Sequence, residues 1–333
     1  HTPTQVVFGA DTFKSTNEHV KNLGKKCLIV TGKKAMKKFG HLDKLKKILI
    51  EDNYKVEIYD NISNDAKSSE VNTASEICRK KNIDFIIGLG GGSSIDAAKA
   101  ISVGFDVENI ESLIGTNLKD EKKSIPLVAI PTTAGTGSEV TKGAIITDVN
   151  KNFKSGIRGK QIFPRIAIID PLLSLTMPRD VAATTGFDAF THLFESYLAK
   201  KSNYFTDMLS LEGLKIVLTK LPESLNKPND LILRSQICFA ALLGGINVGN
   251  ASTCLPHRLQ QAMGSVKEIH QPHARGLASL YPFWVNKVYK YRKQKIENLK
   301  KFLQNDEEGI EFIIKFMDKI KINNKLSDYN VKK

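Results

Sequence analysis

The 333-residue sequence predicts two structural classes in tandem: an α/β half built on a parallel sheet, residues 1–175, and an all-α half, residues 176–333. Three observations predict this. Short apolar runs alternate with amphipathic segments up to about residue 170, the pattern of β-α-β units whose sheet is covered on both faces. Beyond Pro178 the apolar segments carry helical spacing and none reads as a strand. Between the two textures, "DPLLSLTMP" (170–178) places two prolines at the change.

Taken in order, "KCLIVTG" (26–32) is a strand running into a turn, and "HLDKLKKILIED" (41–52) is an amphipathic helix. "YKVEIYD" (54–60) is a strand and "SSEVNTASEICRKK" (68–81) a helix. "IDFIIGLG" (83–90) is a buried strand, "SSIDAAKAISVGF" (93–105) a helix, and "IPLVAIPTT" (125–133) and "RIAIID" (165–170) are further strands. In the second half, 180–200, 205–221, 229–248 and 277–292 read as helices, with no internal repeat. The closing "NNKLSDYNVKK" has no helical pattern, as expected of a chain that continues further.

A composition that is 41% hydrophobic and 25% charged belongs to a globular protein. No apolar run is expected to reach the ~20 residues that cross a bilayer, and Lys14 and Asn17 precede any signal-peptide core. Cys27, Cys78, Cys238 and Cys254 form no CxxC pair, which predicts reduced thiols and a cytoplasmic setting. The net charge of +14 is spread over most helices and is not gathered on one element with interleaved aromatics. That argues against nucleic acid and for a preference for small anions.

Two small-residue loops follow strands. In "IDFIIGLGGGSSIDAAKA" (83–100), Gly90, Gly91 and Gly92 let backbone N–H groups approach an anion, the next helix adds its N-terminal dipole, and Ser93 or Ser94 is expected to cap it. In "PTTAGTGSEVT" (131–141), Thr132, Thr133, Thr136, Ser138 and Thr141 supply hydroxyls. Two such loops at strand C-terminal ends suit a dinucleotide.

"GFDAFTHLFESYLAKK" (186–201) carries an apolar stripe of Phe187, Phe190, Phe194 and Tyr197. A second stripe holds Asp188, His192 and Glu195. By itself this second stripe fits a solvated ion-pair face as well as half of a metal site. Of seven histidines, four lie between 192 and 273: His192, His257, His270 and His273. One carboxylate with three imidazoles and no cysteine suits catalytic Zn²⁺ or Fe²⁺.

"GGGSSIDAAKA", "PTTAGTGSEVT", "GFDAFTHLFESY" and "PHRLQQAMG…PHARGLASLYP" occur here in the order and approximate spacing of the iron-containing (group III) alcohol dehydrogenases, and the chain resembles that family over its whole length. The resemblance is more distant to glycerol dehydrogenase and dehydroquinate synthase. It implies a Rossmann-like first domain, a helical second domain and an active site in the cleft between them. It implies metal ligands at Asp188, His192, His257 and His273, with Fe²⁺ ahead of Zn²⁺, and Glu195 behind the ligands or at the surface. His273 is preferred to His270 because Pro282 keeps the family's His-to-Pro distance. Three departures stand out: about two extra residues between His257 and His273, Ala274 for the usual glycine, and Gln261 where many members carry a histidine. Cofactor contacts are implied at Gly90, Gly91, Gly92, Ser93, Asp96, Thr132, Thr133, Thr136, Ser138, Thr141 and Lys154.

The implied reaction is hydride transfer between NAD(P)H and a small aldehyde or alcohol, in a homodimer with no membrane or nucleic-acid partner. In relatives that use NAD, an Asp commonly follows the strand's Val-Thr. Here Gly32 stands there, followed by Lys33 and Lys34, so NADP(H) is expected over NAD(H). Arg258 and Arg275 each lie close to a ligand histidine, and "LPHRLQ" resembles phosphonoacetaldehyde reductases, so an anionic aldehyde is an alternative substrate. A glycerol dehydrogenase-like polyol oxidoreductase and a dehydroquinate synthase-like lyase share the scaffold. The filled ligand positions argue against a silent binding protein.

Overall fold

The computed structural model describes every residue except Lys267, Glu268, His270, Asn330, Lys332 and Lys333. The chain divides into two compact units, His1–Thr133 with Ser138–Thr176, and Ala134–Gly137 with Met177–Lys333.

The first unit is a six-stranded parallel sheet in the order β1-β8-β5-β4-β2-β3, with a separate antiparallel hairpin β6-β7. The strands are β1 (Gln5–Phe8), β2 (Lys26–Gly32), β3 (Lys55–Ile62), β4 (Phe85–Gly90), β5 (Leu127–Pro131), β6 (Gly143–Asp148), β7 (Phe153–Arg158) and β8 (Ile166–Ile169). Counting helices of nine residues or more, α1 (His41–Glu51), α2 (Ser68–Lys81) and α3 (Gly92–Gly104) connect them. Successive strand residues face opposite sides. Leu28, Val30 and Ile86 enter one apolar cluster, while Cys27, Ile29, Phe85 and Ile87 enter the other. Both faces are buried, so the strands read as continuous apolar runs.

Sequence periodicity does not anticipate β1, β6 or β7. Strand β1 is four mostly exposed residues at the sheet edge. The hairpin strands alternate with polar residues and turn at Asn152, which has φ +50°.

The second unit is helical: α4 (Arg179–Leu198), α5 (Tyr204–Asn226), α6 (Leu231–Ala251), α7 (Leu255–Met263), α8 (His273–Leu303) and α9 (Glu311–Ile320). Asn203 caps α5 by accepting from Thr206 N, and Asp230 caps α6 by accepting from Leu233 N. Helix α5 runs through Pro222, and α8 begins at the expected ligand His273 and kinks at Arg292. Helices α7 and α9 lie outside the expected set, although α9 buries one apolar face. Contrary to the expectation of no such run, α6 is long and apolar enough to cross a membrane. Packing accounts for it: α6 lies against α4 and α5, most of its apolar window is buried, and it carries the buried polar residues Arg234 and Asn247.

The aromatic stripe of α4 is the core of this unit. Phe187, Phe190 and Phe194 lie with ring centroids 5.3, 5.9 and 6.5 Å from Tyr281, and Trp284 closes edge-on against Phe194 at 6.0 Å.

Candidate active site

In the first unit the glycine run leaves β4 and enters α3. Gly90 has φ +141°, and a side chain there would meet Ser94 Oγ at 2.9 Å, so both conformation and space call for glycine. A Cβ on Gly88 would lie 3.0 Å from the Ala98 Cβ, which brings α3 close onto β4. Gly91 is the N-cap residue in extended conformation. The expected serine cap does not form: no side chain caps α3, and the Ser93 hydroxyl donates to the Asn64 carbonyl instead. An uncapped helix start beside glycines suits an anion.

Beside this cradle lies a lysine absent from the sequence-based site. Lys99, fully buried on α3, donates to Ser138 Oγ at 2.8 Å, Thr141 Oγ1 at 2.9 Å and the Gly143 carbonyl at 2.9 Å. Asp96 accepts from the Ser138 hydroxyl and from Ile145 N. Three expected cofactor residues, Asp96, Ser138 and Thr141, thus meet in one internal network. Burial drives the Lys99 amine down to about 8 against the pull of Asp96 and Glu139, and burial raises the Glu139 carboxyl to about 7. Lys154, on β7, pairs with Asp65 at 2.6 Å. Gly32 ends β2, with Lys33 and Lys34 exposed after it. Thr132 is buried and Thr133 half-buried. Thr136 belongs to the four residues that cluster with the second unit.

In the second unit, Asp188 and His192 are buried, which removes the reading of a solvated ion-pair face. Helix α4 supplies Asp188 and His192, α7 supplies His257, and the first residue of α8 is His273. All three imidazole Nε2 atoms converge on one carboxylate oxygen. Asp188 Oδ1 lies 3.8 Å from His192 Nε2, 3.8 Å from His257 Nε2 and 3.5 Å from His273 Nε2. Asp188, His192 and His257 place ligand atoms within 4.8 Å of one another.

Asp188 Oδ1 and His257 Nε2 are buried with no hydrogen-bond partner among the described residues. Orphaned polar atoms of this kind carry a desolvation cost unless something binds them. Ligands of a tetrahedral ion with ~2.1 Å bonds are about 3.4 Å apart, so the observed spacing fits a divalent cation. Burial alone would raise the Asp188 carboxyl, but His192, His273 and His257 outweigh it and hold the group well below the usual carboxylate range. Burial lowers His192. Burial also works to lower His257, but the Glu195 carboxylate beside it prevails and raises it.

Each imidazole is held from behind by a different group. His192 Nδ1 lies 3.4 Å from the Gly135 carbonyl, His257 Nδ1 is 2.9 Å from Glu195 Oε1, and His273 Nδ1 is 2.6 Å from Gln260 Oε1. Sequence reasoning passed over Gln260 in favour of Gln261. Its position three residues after His257, on the same face of α7, was the available signal. Gly135 is tightly seated: a Cβ there would come 2.3 Å from the Thr185 carbonyl oxygen, and one on Gly137 would come 2.4 Å from Gly245 Cα.

Arg275 donates to Asn324 Oδ1 at 3.0 Å and pairs with Asp180 in the first turn of α4. Arg258 is exposed on α7, with Nη2 3.5 Å from Ser252 Oγ. His270, the alternative to His273, lies outside the described residues.

A parallel-sheet unit with a glycine cradle and a helical unit with a carboxylate–imidazole centre suit a nucleotide-binding domain in tandem with a domain that could hold a divalent ion. The family model "Iron-containing alcohol dehydrogenase" matches residues 3–171, and "Fe-containing alcohol dehydrogenase family, C-terminal" matches 182–333. The chain belongs to the iron-containing alcohol dehydrogenase family. It is 29% identical to the probable NADH-dependent butanol dehydrogenase 1 of Bacillus subtilis (strain 168), over 99% of this chain and 88% of that protein. It is 33% identical to the NADPH-dependent butanol dehydrogenase of Clostridium saccharobutylicum, over 84% of this chain and 71% of that one. The crystal structure of an iron-containing alcohol dehydrogenase from Thermotoga maritima matches with a TM-score of 0.84 at 33% identity, covering 97% of this chain and 86% of that one. The protein is thus an oxidoreductase that interconverts small alcohols and aldehydes with a nicotinamide cofactor.

Proposed function

We propose that this chain works as an NADP(H)-preferring reductase of small, uncharged aldehydes, with one Fe²⁺ held by Asp188, His192, His257 and His273. The observation that carries the ligand set is the convergence of three Nε2 atoms on the orphaned Asp188 Oδ1. A divalent ion there supplies a Lewis acid for the substrate oxygen, and the nicotinamide supplies or takes the hydride. The chain's own part is to hold four ligands in one orientation and to seat a pyrophosphate on the glycine cradle of α3. No nucleophilic side chain is required.

The cofactor preference rests on Gly32. Gly32 after Thr31 puts no carboxylate at that position to repel a 2′-phosphate, and Lys33 and Lys34 are exposed to pair with one. Relatives of both preferences exist, an NADH-dependent and an NADPH-dependent butanol dehydrogenase. The substrate reading follows the butanol dehydrogenases and the engagement of Arg275 with Asp180 and Asn324. A cytoplasmic homodimer completes the reading; the four cysteines form no disulfide, in keeping with a reducing compartment.

The test is a panel of neutral and anionic aldehydes assayed with NADPH and NADH, after loading with Fe²⁺ or Zn²⁺. Higher kcat/KM with NADPH on butanal, dependent on Fe²⁺, is the expected result. Equal or better kcat/KM with NADH overturns the cofactor preference. A preference for anionic aldehydes overturns the substrate reading. His273→Ala is expected to lose the metal and His270→Ala to keep it; the reverse would move the fourth ligand to His270.

A further inference from the structure

Glu195 lies seven residues after Asp188 and three after His192, on the same helix α4, and its side chain is fully buried. A carboxylate is among the least common groups at such a position unless its oxygens are satisfied. Here both are. Oε1 accepts from His257 Nδ1 at 2.9 Å and from the Tyr281 hydroxyl at 3.3 Å. Oε2 accepts from the backbone N–H of Cys254 at 2.6 Å. Cys254 is the N-cap residue of α7, and its Sγ meets the Glu195 carbonyl at 3.2 Å. One residue of α4 therefore grips α7 at its first turn and grips the imidazole that α7 carries.

These contacts act on His257 in two ways. The carboxylate holds the imidazole proton on Nδ1, which leaves the Nε2 lone pair aimed at Asp188 Oδ1, 3.8 Å away. It also makes that lone pair more basic, because a charged acceptor polarises the N–H bond more than a neutral one does. Among the described residues the other two imidazoles have no carboxylate behind them: His192 faces a backbone carbonyl and His273 faces an amide oxygen. The three imidazoles are therefore unequal, and His257 is backed by the strongest acceptor.

We propose that Glu195 is a positioning residue that sets the divalent-cation affinity of this centre through His257, with Tyr281 holding the carboxylate in place. The proposal rests on the ligand set given under Proposed function, and its test separates the two. Zn²⁺ is the probe, and its affinity is measured by competition with a chromophoric chelator on the full chain. Glu195→Gln keeps the shape and removes the charge, and it is expected to weaken Zn²⁺ binding roughly 10- to 100-fold. Tyr281→Phe leaves the charge and is expected to weaken it far less. The rise in Tm caused by saturating Zn²⁺ should shrink in Glu195→Gln, whereas a merely structural role would lower the Tm of the metal-free and metal-loaded protein alike.

Wild-type affinity in Glu195→Gln, with the wild type binding Zn²⁺, overturns the role of Glu195 and leaves the ligand set standing. A wild type that binds no Zn²⁺ overturns both. If Glu195→Gln does not fold, nitrogen-15 spectra of histidine-labelled, Zn²⁺-loaded wild type decide the matter. A proton on His257 Nδ1, shifted strongly downfield, is expected; an unprotonated Nδ1 overturns the proposal.

Discussion

The α/β unit and the helical unit prepare for their ligands by opposite means. The cradle between β4 and α3 is made of backbone: Gly90 and Gly91 withhold side chains, and the uncapped start of α3 offers its dipole. A neutral hydroxyl, Thr31 Oγ1, is buried beside Gly90 without a partner among the described residues, and no charged ligand atom is. The centre on α4, α7 and α8 is made of ionisable side chains, with Asp188, His192 and His257 buried, His273 half-buried, and two ligand atoms without a partner among the described residues. Main chain tolerates the absence of its ligand at small cost, whereas a buried carboxylate among three imidazoles is costly unless an ion joins it. Metal binding should thus couple strongly to the stability of the helical unit, and cofactor binding weakly to that of the α/β unit.

The comparison breaks most sharply at Asp188. Chelation of the metal, or Asp188→Ala, should lower kcat/KM by about 10³-fold or more, the equivalent of several kcal/mol of lost Lewis-acid stabilisation. Steady-state kinetics beside metal analysis checks this, and re-addition of Fe²⁺ should rescue the chelated wild type only.

Lys99 is the exception to an inexpensive α/β unit. Lys99→Met removes the donor to Ser138 Oγ, Thr141 Oγ1 and the Gly143 carbonyl and leaves Glu139 and Asp96 without their buried cation, so a loss of about 3–5 kcal/mol is expected in denaturant unfolding. The pH dependence carries a sign. The folded amine titrates near 8 and the unfolded one near its ordinary 10.5, so between these values the unfolded chain binds more protons. Stability from this group therefore rises with pH from about 8 to 10.5, and the rise should vanish in Lys99→Met.

A pair of glycine substitutions sharpens the contrast. Gly135→Ala forces a methyl to within 2.3 Å of the Thr185 carbonyl oxygen, and overpacking of this kind costs about 1–3 kcal/mol. It should lower Tm and, by shifting the carbonyl behind His192, metal content. Gly91→Ala meets the Thr133 side chain at ordinary contact, Cγ2 at 3.4 Å and Oγ1 at 3.5 Å, so Tm should hold while cofactor affinity, read by fluorescence titration, falls. The smallest effect belongs to Gly32→Asp. Its Cβ would lie 3.5 Å from the Ile62 carbonyl and 3.8 Å from Ser94 Oγ, which is ordinary contact. Stability should be unchanged, and the NADPH/NADH ratio of kcat/KM should shift toward NADH by roughly tenfold, about 1.4 kcal/mol.

The elements were legible in the sequence wherever burial leaves a simple pattern. Strands β2, β4 and β5, buried on both faces, stand out as continuous apolar runs, α1 and α2 bury a repeating face, and α4 shows its aromatic stripe from Phe187 to Phe194. The edge strand β1 escaped because it is mostly exposed, and the hairpin β6-β7 because residue type does not follow burial there: Asp148 is buried, Ile145 is half-buried and Phe153 is exposed. At the candidate site, the residue types of the ligand set could be named, since catalytic divalent-ion chemistry draws on few side chains.

By itself, then, the sequence determined the tandem of a parallel-sheet half and a helical half, the glycine positions that let a main chain approach an anion, and a carboxylate with histidines to match a cation. These are local properties, set by spacing and by what a missing Cβ permits. Only the tertiary structure decided that the Asp188–His192 face is buried, that Glu195, Gln260 and the Gly135 carbonyl stand behind the three imidazoles, that Arg275 is taken by Asp180, and that Lys99 draws Asp96, Ser138 and Thr141 into one network. Each of these joins residues that lie far apart in the chain, and periodicity within one helix or strand carries no information about which distant group will fill the space on its far side.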